Sequence, residues 1–170
     1  GAYISKMTAQ IMRDLGAVQS PMNAYILNLG LESLAVRIER HCSNAMKVAN
    51  FMKDHDKISW VNYPGLEDNK YSKLVKKYMP DGTCGVISFG VKGGRKGAEE
   101  FMRHLNVSMI CTHAADAHSI ILHPASSTHR QLNDEELVAS GVTPDLIRIC
   151  VGIENVNDII EDIDQALAYI

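Results

Sequence analysis

Between Thr112 and His129 the chain reads THAADAHSIILHPASSTH, which sets four histidines (His113, His118, His123 and His129) and several hydroxyls around a short apolar run. Imidazoles and hydroxyls in such density could ligate a metal ion or hydrogen-bond a small polar substrate. The histidines are separated by five, five and six residues. No pair has the i, i+4 helical or i, i+2 strand spacing that aims two rings at one ion. His118 and His123 fall on opposite faces of a regular strand. His123 precedes Pro124 and so ends the strand rather than lining it. The pattern favours a small-molecule pocket over a metal centre.

A second candidate is Arg148, in LIRICVG. Ile147, Ile149 and Val151 alternate with Arg148 and Cys150, and period-two geometry sends Arg148 to the face opposite any covering helices. Its planar fork suits a carboxylate bidentately. A surface or edge arginine, or one half of a structural ion pair, is the other reading of the same residue.

These residues need a scaffold, and periodicity supplies one. Tyr3 to Leu15 reads as a helix with Ile4, Met7, Ile11 and Leu15 on one face, stopped by Gly16. Ser20-Pro21 caps a second helix running to about Leu29, with Gly30 as a break. Ser33 to Asp54 is a longer helix whose buried stripe is Leu34, Ile38, Cys42, Ala45, Ala49 and Met52. Strands are expected at Ile58 to Tyr63, Cys84 to Val91, Ser108 to Thr112, Ser119 to Leu122 and Ile147 to Val151. Between them lie short helices at Tyr71 to Tyr78, Lys96 to Asn106 and after Asn133. A last helix, capped by Asn155 or Asn157, turns Val156, Ile159, Ile160, Ile163 and Leu167 inward. Three helices followed by mixed strands and helices imply an α+β layer, a small and mostly antiparallel sheet with helices on one face.

The bulk numbers set limits. A chain of 170 residues, 46% apolar, can bury a core as one domain or one and a fragment. Net charge is −3 with Lys and Arg scattered, which gives no nucleic-acid footprint. The apolar runs are far too short for a membrane span, and the start does not read as a signal peptide. Cys42, Cys84, Cys111 and Cys150 lack CxxC spacing and sit in apolar contexts, the usual state of reduced thiols in a cytoplasmic protein.

Longer stretches resemble a known family. LHPASSTHRQL followed by GVTPDLIRICVGIENVNDIIEDIDQAL resembles the C-terminal domain of the Cys/Met-metabolism PLP-dependent enzymes. SPMNAYILNLGLESLAVRIERHCSNAMKVANFM is similar to the family's helical entry to that domain, and YPGLE, KYMPDGTCGVISFGVKGG and THAADAHSIILHPASSTH to its middle. HPASSTHRQL and GVTPDLIR are most like the O-acetylhomoserine sulfhydrylase branch. Cystathionine γ-synthase, cystathionine γ-lyase and methionine γ-lyase share much of the same text.

The resemblance implies the small C-terminal domain of the aspartate-aminotransferase-like fold (fold type I), with residues 1–54 as helical connector and start of the small domain and 55–170 as the α+β domain. The large domain, its pyridoxal 5'-phosphate and the lysine that carries it are expected upstream of this chain. No cofactor is then expected on the fragment, and no catalytic residue within it. Lys6 reads as a solvated helix lysine. Arg148 falls where the family holds the substrate α-carboxylate, and His113 to Ser119 where it lines the pocket. The implied substrate-binding set is Arg148, His113, Thr128 and Ser119, with Ser119 alternatively bonding backbone at the strand start. His123 and His129 read as packing and turn residues. Relatives often carry Ser or Asn at His113 and Gly at Ala115. The implied partners are an amino-acid substrate, the large domain and further copies in a homo-oligomer. Of another class, a stand-alone regulatory domain binding a small molecule fits the same fold.

Overall fold

The computed structural model describes residues Gly1–Ile170 and divides into two compact units, Gly1–Ala35 and Val36–Ile170. The first unit is helical. α1 (Ala2–Lys6) passes through a π-helical segment (Met7–Met12) into α2 (Arg13–Leu15), and Gly16 ends it at φ +66°. α3 (Pro21–Glu32) starts on Ser20, whose hydroxyl accepts the Asn23 N–H. Two expectations change here. The π segment interrupts what reads as a plain amphipathic helix, and α3 runs through Gly30 instead of breaking at it. An interior glycine costs about 1 kcal/mol, too little to stop a helix whose flanking residues are leucines. Neither helix buries a side chain: Leu15 is 76%, Met22 66% and Leu31 61% exposed.

The second unit is the α+β layer. α4 (Leu34–Asp54) leads into β1 (Ile58–Asn62), α5 (Ser72–Tyr78), β2 (Val86–Val91), α6 (Gly94–Arg103), β3 (Met109–Ile110), β4 (Ile120–Leu122), a 3-10 turn (Pro124–Ser126), α7 (Asp134–Ala139), β5 (Leu146–Cys150) and α8 (Val156–Leu167). The sheet order is β1-β2-β5-β4-β3, with β3 and β4 parallel and the other pairs antiparallel. All five expected strands form, the first four with trimmed ends and the last shifted one residue earlier.

One face of the sheet carries the core. Ile87, Phe89 and Val91 of β2, Ile121 of β4, and Ile147, Ile149 and Val151 of β5 and its continuation pack with Ala45, Val48 and Met52 of α4, Ala98 and Phe101 of α6, and Ile159 and Ile163 of α8. Phe89 and Phe101 meet edge-to-face at 5.9 Å, a contact that adds about 1 kcal/mol to the burial of the two rings. α4, α6 and α8 therefore lie on a single face, as the alternation in β5 requires.

The buried stripe of α4 differs from the expected one. Leu34 and Ile38 are 39% and 44% exposed, whereas His41 and Asn44 are buried. His41 Nδ1 lies 2.6 Å from the Val151 carbonyl, and Asn44 Nδ2 donates to the carbonyls of Gly152 and Glu154 at 3.0 and 2.9 Å. Polar side chains are tolerated inside when each has a partner. Here they tie α4 to the chain leaving β5.

Candidate functional site

The face of the sheet opposite the helices carries Ser88, Arg148 and Leu122 in one cross-strand row, by the registers Ser88↔Arg148 and Leu122↔Arg148. Cys150 and Ile120 form the next row. Arg148 thus stands on the central strand of its neighbourhood, on the face that the alternation assigns to it.

A loop crosses above it. Since β3 and β4 are parallel, the chain from Cys111 to Ser119 must turn back to restart in the same direction. It does so without a helix, over the open face: Cys150 Sγ lies 3.9 Å from the His113 carbonyl. Arg148 Nη2 donates to the carbonyls of Thr112 and His113 at 3.1 and 2.8 Å. Arg148 Nε is buried and has no hydrogen-bond partner. Nη1 makes no hydrogen bond within the chain, and Arg148 forms no ion pair with any carboxylate. The structural ion-pair reading is thereby set aside. The guanidinium is held at one corner by neutral carbonyls and keeps donors unspent.

The loop is pinned at several points. Asp116 Oδ1 accepts the His118 N–H at 3.0 Å and lies 3.2 Å from its Nδ1. These bonds, the backbone one first, hold the Asp116 carboxyl below the usual carboxylate range. The Ile153 N–H donates to the Ala117 carbonyl at 2.9 Å. Ala115 sits at φ +62°, the sole non-glycine residue with positive φ. That conformation costs an L-residue roughly 1 kcal/mol that glycine does not pay. Ala115 is exposed, so no packing is lost with its methyl. Ala115→Gly is therefore expected to be neutral or stabilising by up to about 1 kcal/mol in urea unfolding. A clear loss of stability would show that this backbone is not left-handed.

The other candidate residues occupy different settings. His113 is exposed, and its link to Arg148 is through its carbonyl rather than its ring. Thr128 is exposed and hydrogen-bonded to His129 Nδ1 at 2.9 Å, with no bond to Arg148. Ser119 is fully buried. Its hydroxyl donates to Glu154 Oε2 at 3.0 Å and accepts the Gly152 N–H at 2.9 Å, which is the backbone-bonding role at a strand start. Glu154 also accepts the Ser119 N–H on Oε1 at 2.5 Å. Glu154, Asn44 and His41 carry no local signal in the sequence, because their partners are distant along the chain.

His123 is 1% exposed. Its Nε2–H donates to the Pro144 carbonyl at 2.9 Å, which leaves Nδ1 to accept from Ser126 Oγ at 2.8 Å. Burial pushes its pKa below the ordinary 6.5, against the opposing pull of the Pro144 carbonyl. The unfolded chain then takes up the proton before the folded one does. Stability is full above about pH 6.5 and falls as the pH drops from there toward the folded-state value. Melting temperatures measured from neutral to mildly acid pH should fall for the wild type and fall less for His123→Gln. Parallel curves would remove His123 as the cause. No group of three His, Cys, Asp or Glu side chains converges as a metal site, and no helix is long and apolar enough to cross a membrane.

Comparison with known proteins adds the wider setting. Residues 1–168 match the model of the family described as Cys/Met metabolism PLP-dependent enzyme. The O-acetyl-L-homoserine sulfhydrylase of Leptospira meyeri is 44% identical over 170 residues, which cover 99% of this chain and 38% of that protein. The homocysteine synthase of Schizosaccharomyces pombe is 43% identical over 166 residues, 98% of this chain and 39% of that protein. A crystal structure from Campylobacter jejuni, described as an O-acetylhomoserine (thiol)-lyase with an N'-pyridoxyl-lysine-5'-monophosphate, superposes with a TM-score of 0.87 at 42% identity, covering 98% of this chain and 40% of that one. The chain thus spans about two fifths of the length of these relatives.

Lys6 is exposed on α1. Lys57 is the one half-buried lysine, and its Nζ is spent on the Ile170 carbonyl.

Proposed function

Since the chain belongs to the Cys/Met metabolism PLP-dependent enzyme family, we propose that it is the small C-terminal domain, with its connecting helices, of an O-acetylhomoserine sulfhydrylase. The parent enzyme converts O-acetylhomoserine and sulfide or a thiol to homocysteine or methionine and acetate. The cofactor and its lysine belong to the rest of that enzyme. This domain's share is to hold the substrate's α-carboxylate through Arg148, orient the Cα–H and help exclude water.

The observation that carries the reading is the state of the Arg148 guanidinium. Its Nη2 is fixed by two carbonyls at the exposed end of the side chain, while Nη1 makes no hydrogen bond within the chain. An incoming carboxylate offers acceptors of the right charge and planarity for this fork. The helices of the first unit fit a connector, because their exposed leucines and methionines are of the kind that a neighbouring domain or a second copy covers. The parent is then a homo-oligomer working in the cytoplasm.

The test is a substrate panel on the complete enzyme. O-acetyl-L-homoserine with sulfide should give homocysteine and acetate, and the 170-residue chain alone should give none. Formation of cystathionine from cysteine, or breakdown of cystathionine or methionine in preference, would assign the domain to one of those relatives. Saturable binding of a small ligand by this chain alone, with no activity in the larger enzyme, would favour a regulatory module.

A further inference from the structure

We propose that Glu154 is a positioning residue for Arg148, acting through Ser119 and the crossover loop; the proposal rests on the carboxylate-binding reading of Arg148. Glu154 lies on the connection from β5 to α8, and its side chain turns back to Ser119 at the start of β4. One carboxylate oxygen takes the Ser119 N–H and the other its hydroxyl. The hydroxyl in turn accepts the Gly152 N–H, and the Ile153 N–H takes the Ala117 carbonyl. The far root of the loop is therefore fastened to the segment that leaves the strand carrying Arg148. The loop's near half supplies the carbonyls of Thr112 and His113 that hold Nη2.

The result is a closed ring: β5, residues 151–154, Ser119, the loop, and Arg148 again. An arginine stem is long and rotamer-rich, and strand geometry fixes only its root. The direction of the fork is set at the other end, by where the two carbonyls stand. Those carbonyls belong to an exposed loop whose far root is buried and bonded at Ser119. Asn44 references the ring to the core, since it holds the Gly152 and Glu154 carbonyls from α4. A carboxylate suits the post at 154 because it accepts on both oxygens, matching the two donors of Ser119.

The experiment uses the complete enzyme that carries this chain, with Glu154→Ala, Glu154→Gln and Arg148→Lys, singly and combined. Glu154→Ala is expected to raise KM for the amino-acid substrate about tenfold with little change in kcat. Glu154→Gln should raise it less, because its Oε1 still accepts the Ser119 N–H. In the Arg148→Lys background the Glu154 substitutions should add little, since the fork they aim is gone; coupling of this kind marks residues that act as one unit. A purely structural role would lower the yield of folded enzyme and kcat together and be additive with Arg148→Lys. A folded Glu154→Ala enzyme with unchanged KM, or additive costs, overturns the proposal. If Glu154→Ala does not fold, Glu154→Gln decides by the same criteria. An unchanged KM in Arg148→Lys, by contrast, overturns the carboxylate reading itself.

Discussion

Replacing Arg148 with alanine in the complete enzyme should lower kcat/KM by roughly two to three orders of magnitude, while cofactor content and fold stay near wild type. The size follows from the contacts. A charge-assisted bidentate contact in a site that excludes water is worth about 2–4 kcal/mol when one partner is removed and the other left unpaired. Each 1.36 kcal/mol is about tenfold in rate. Arg148 also holds the Thr112 and His113 carbonyls, so alanine frees the loop as well. Arg148→Lys separates the two contributions: it keeps the charge and can hold a carbonyl, but it loses the fork. It should lose less than alanine, yet more than tenfold. A substrate analogue lacking the α-carboxylate should lose far less than O-acetylhomoserine does on going from wild type to Arg148→Ala, the remainder being the cost of the freed loop. If Arg148→Ala turned over O-acetylhomoserine at the normal kcat/KM, the assignment of this sheet face to the carboxylate would be wrong.

That this arginine was legible in the sequence has a physical reason. A strand with one buried face has a period of two, and a charged residue out of phase with the isoleucines can only point the other way. The five strands and the single layer of helices follow from the same pattern. What escaped depends on partners distant in sequence. His41 and Asn44 look like the polar edge of α4, and only the Val151, Gly152 and Glu154 carbonyls, more than 100 residues later, make them interior. The stripe is therefore rotated, and Leu34 and Ile38 lie outside it. Glu154 reads as a loop acid until Ser119 comes beside it. Thr128, in the implied substrate-binding set, sits in the turn after Pro124 and hydrogen-bonds its neighbour His129. The left-handed backbone at Ala115 is not signalled by the residue itself, and only the glycine that relatives often carry there points to it.

Gly152→Ala should be among the most damaging single-methyl substitutions in the chain. A methyl group on Gly152 would lie 2.5 Å from both the Ala117 carbonyl oxygen and the Ser119 nitrogen, and closer still to Glu154 Oε2. Two of these three neighbours are backbone atoms, which cannot swing aside as the end of a flexible side chain does. Glu154 could move, but only by releasing Ser119. Overpacking of this kind costs about 1–3 kcal/mol, and hydrogen bonds to a charged group about 1.5–3 kcal/mol more when they are broken. A total on the order of 3–5 kcal/mol is expected, which lowers the melting temperature by roughly 10 °C or more in a domain of this size. The damage should also be local before it is global. Amide exchange at Ser119, Gly152 and Ile153 should accelerate far more than at Phe89, Gly90 or Ile147, whose pairings lie on the other side of β5's midpoint. Uniform acceleration across the sheet would mean that the substitution merely lowers global stability, and a melting temperature within about 2 °C of wild type would mean that the loop and the β5–α8 connection do not approach each other this closely.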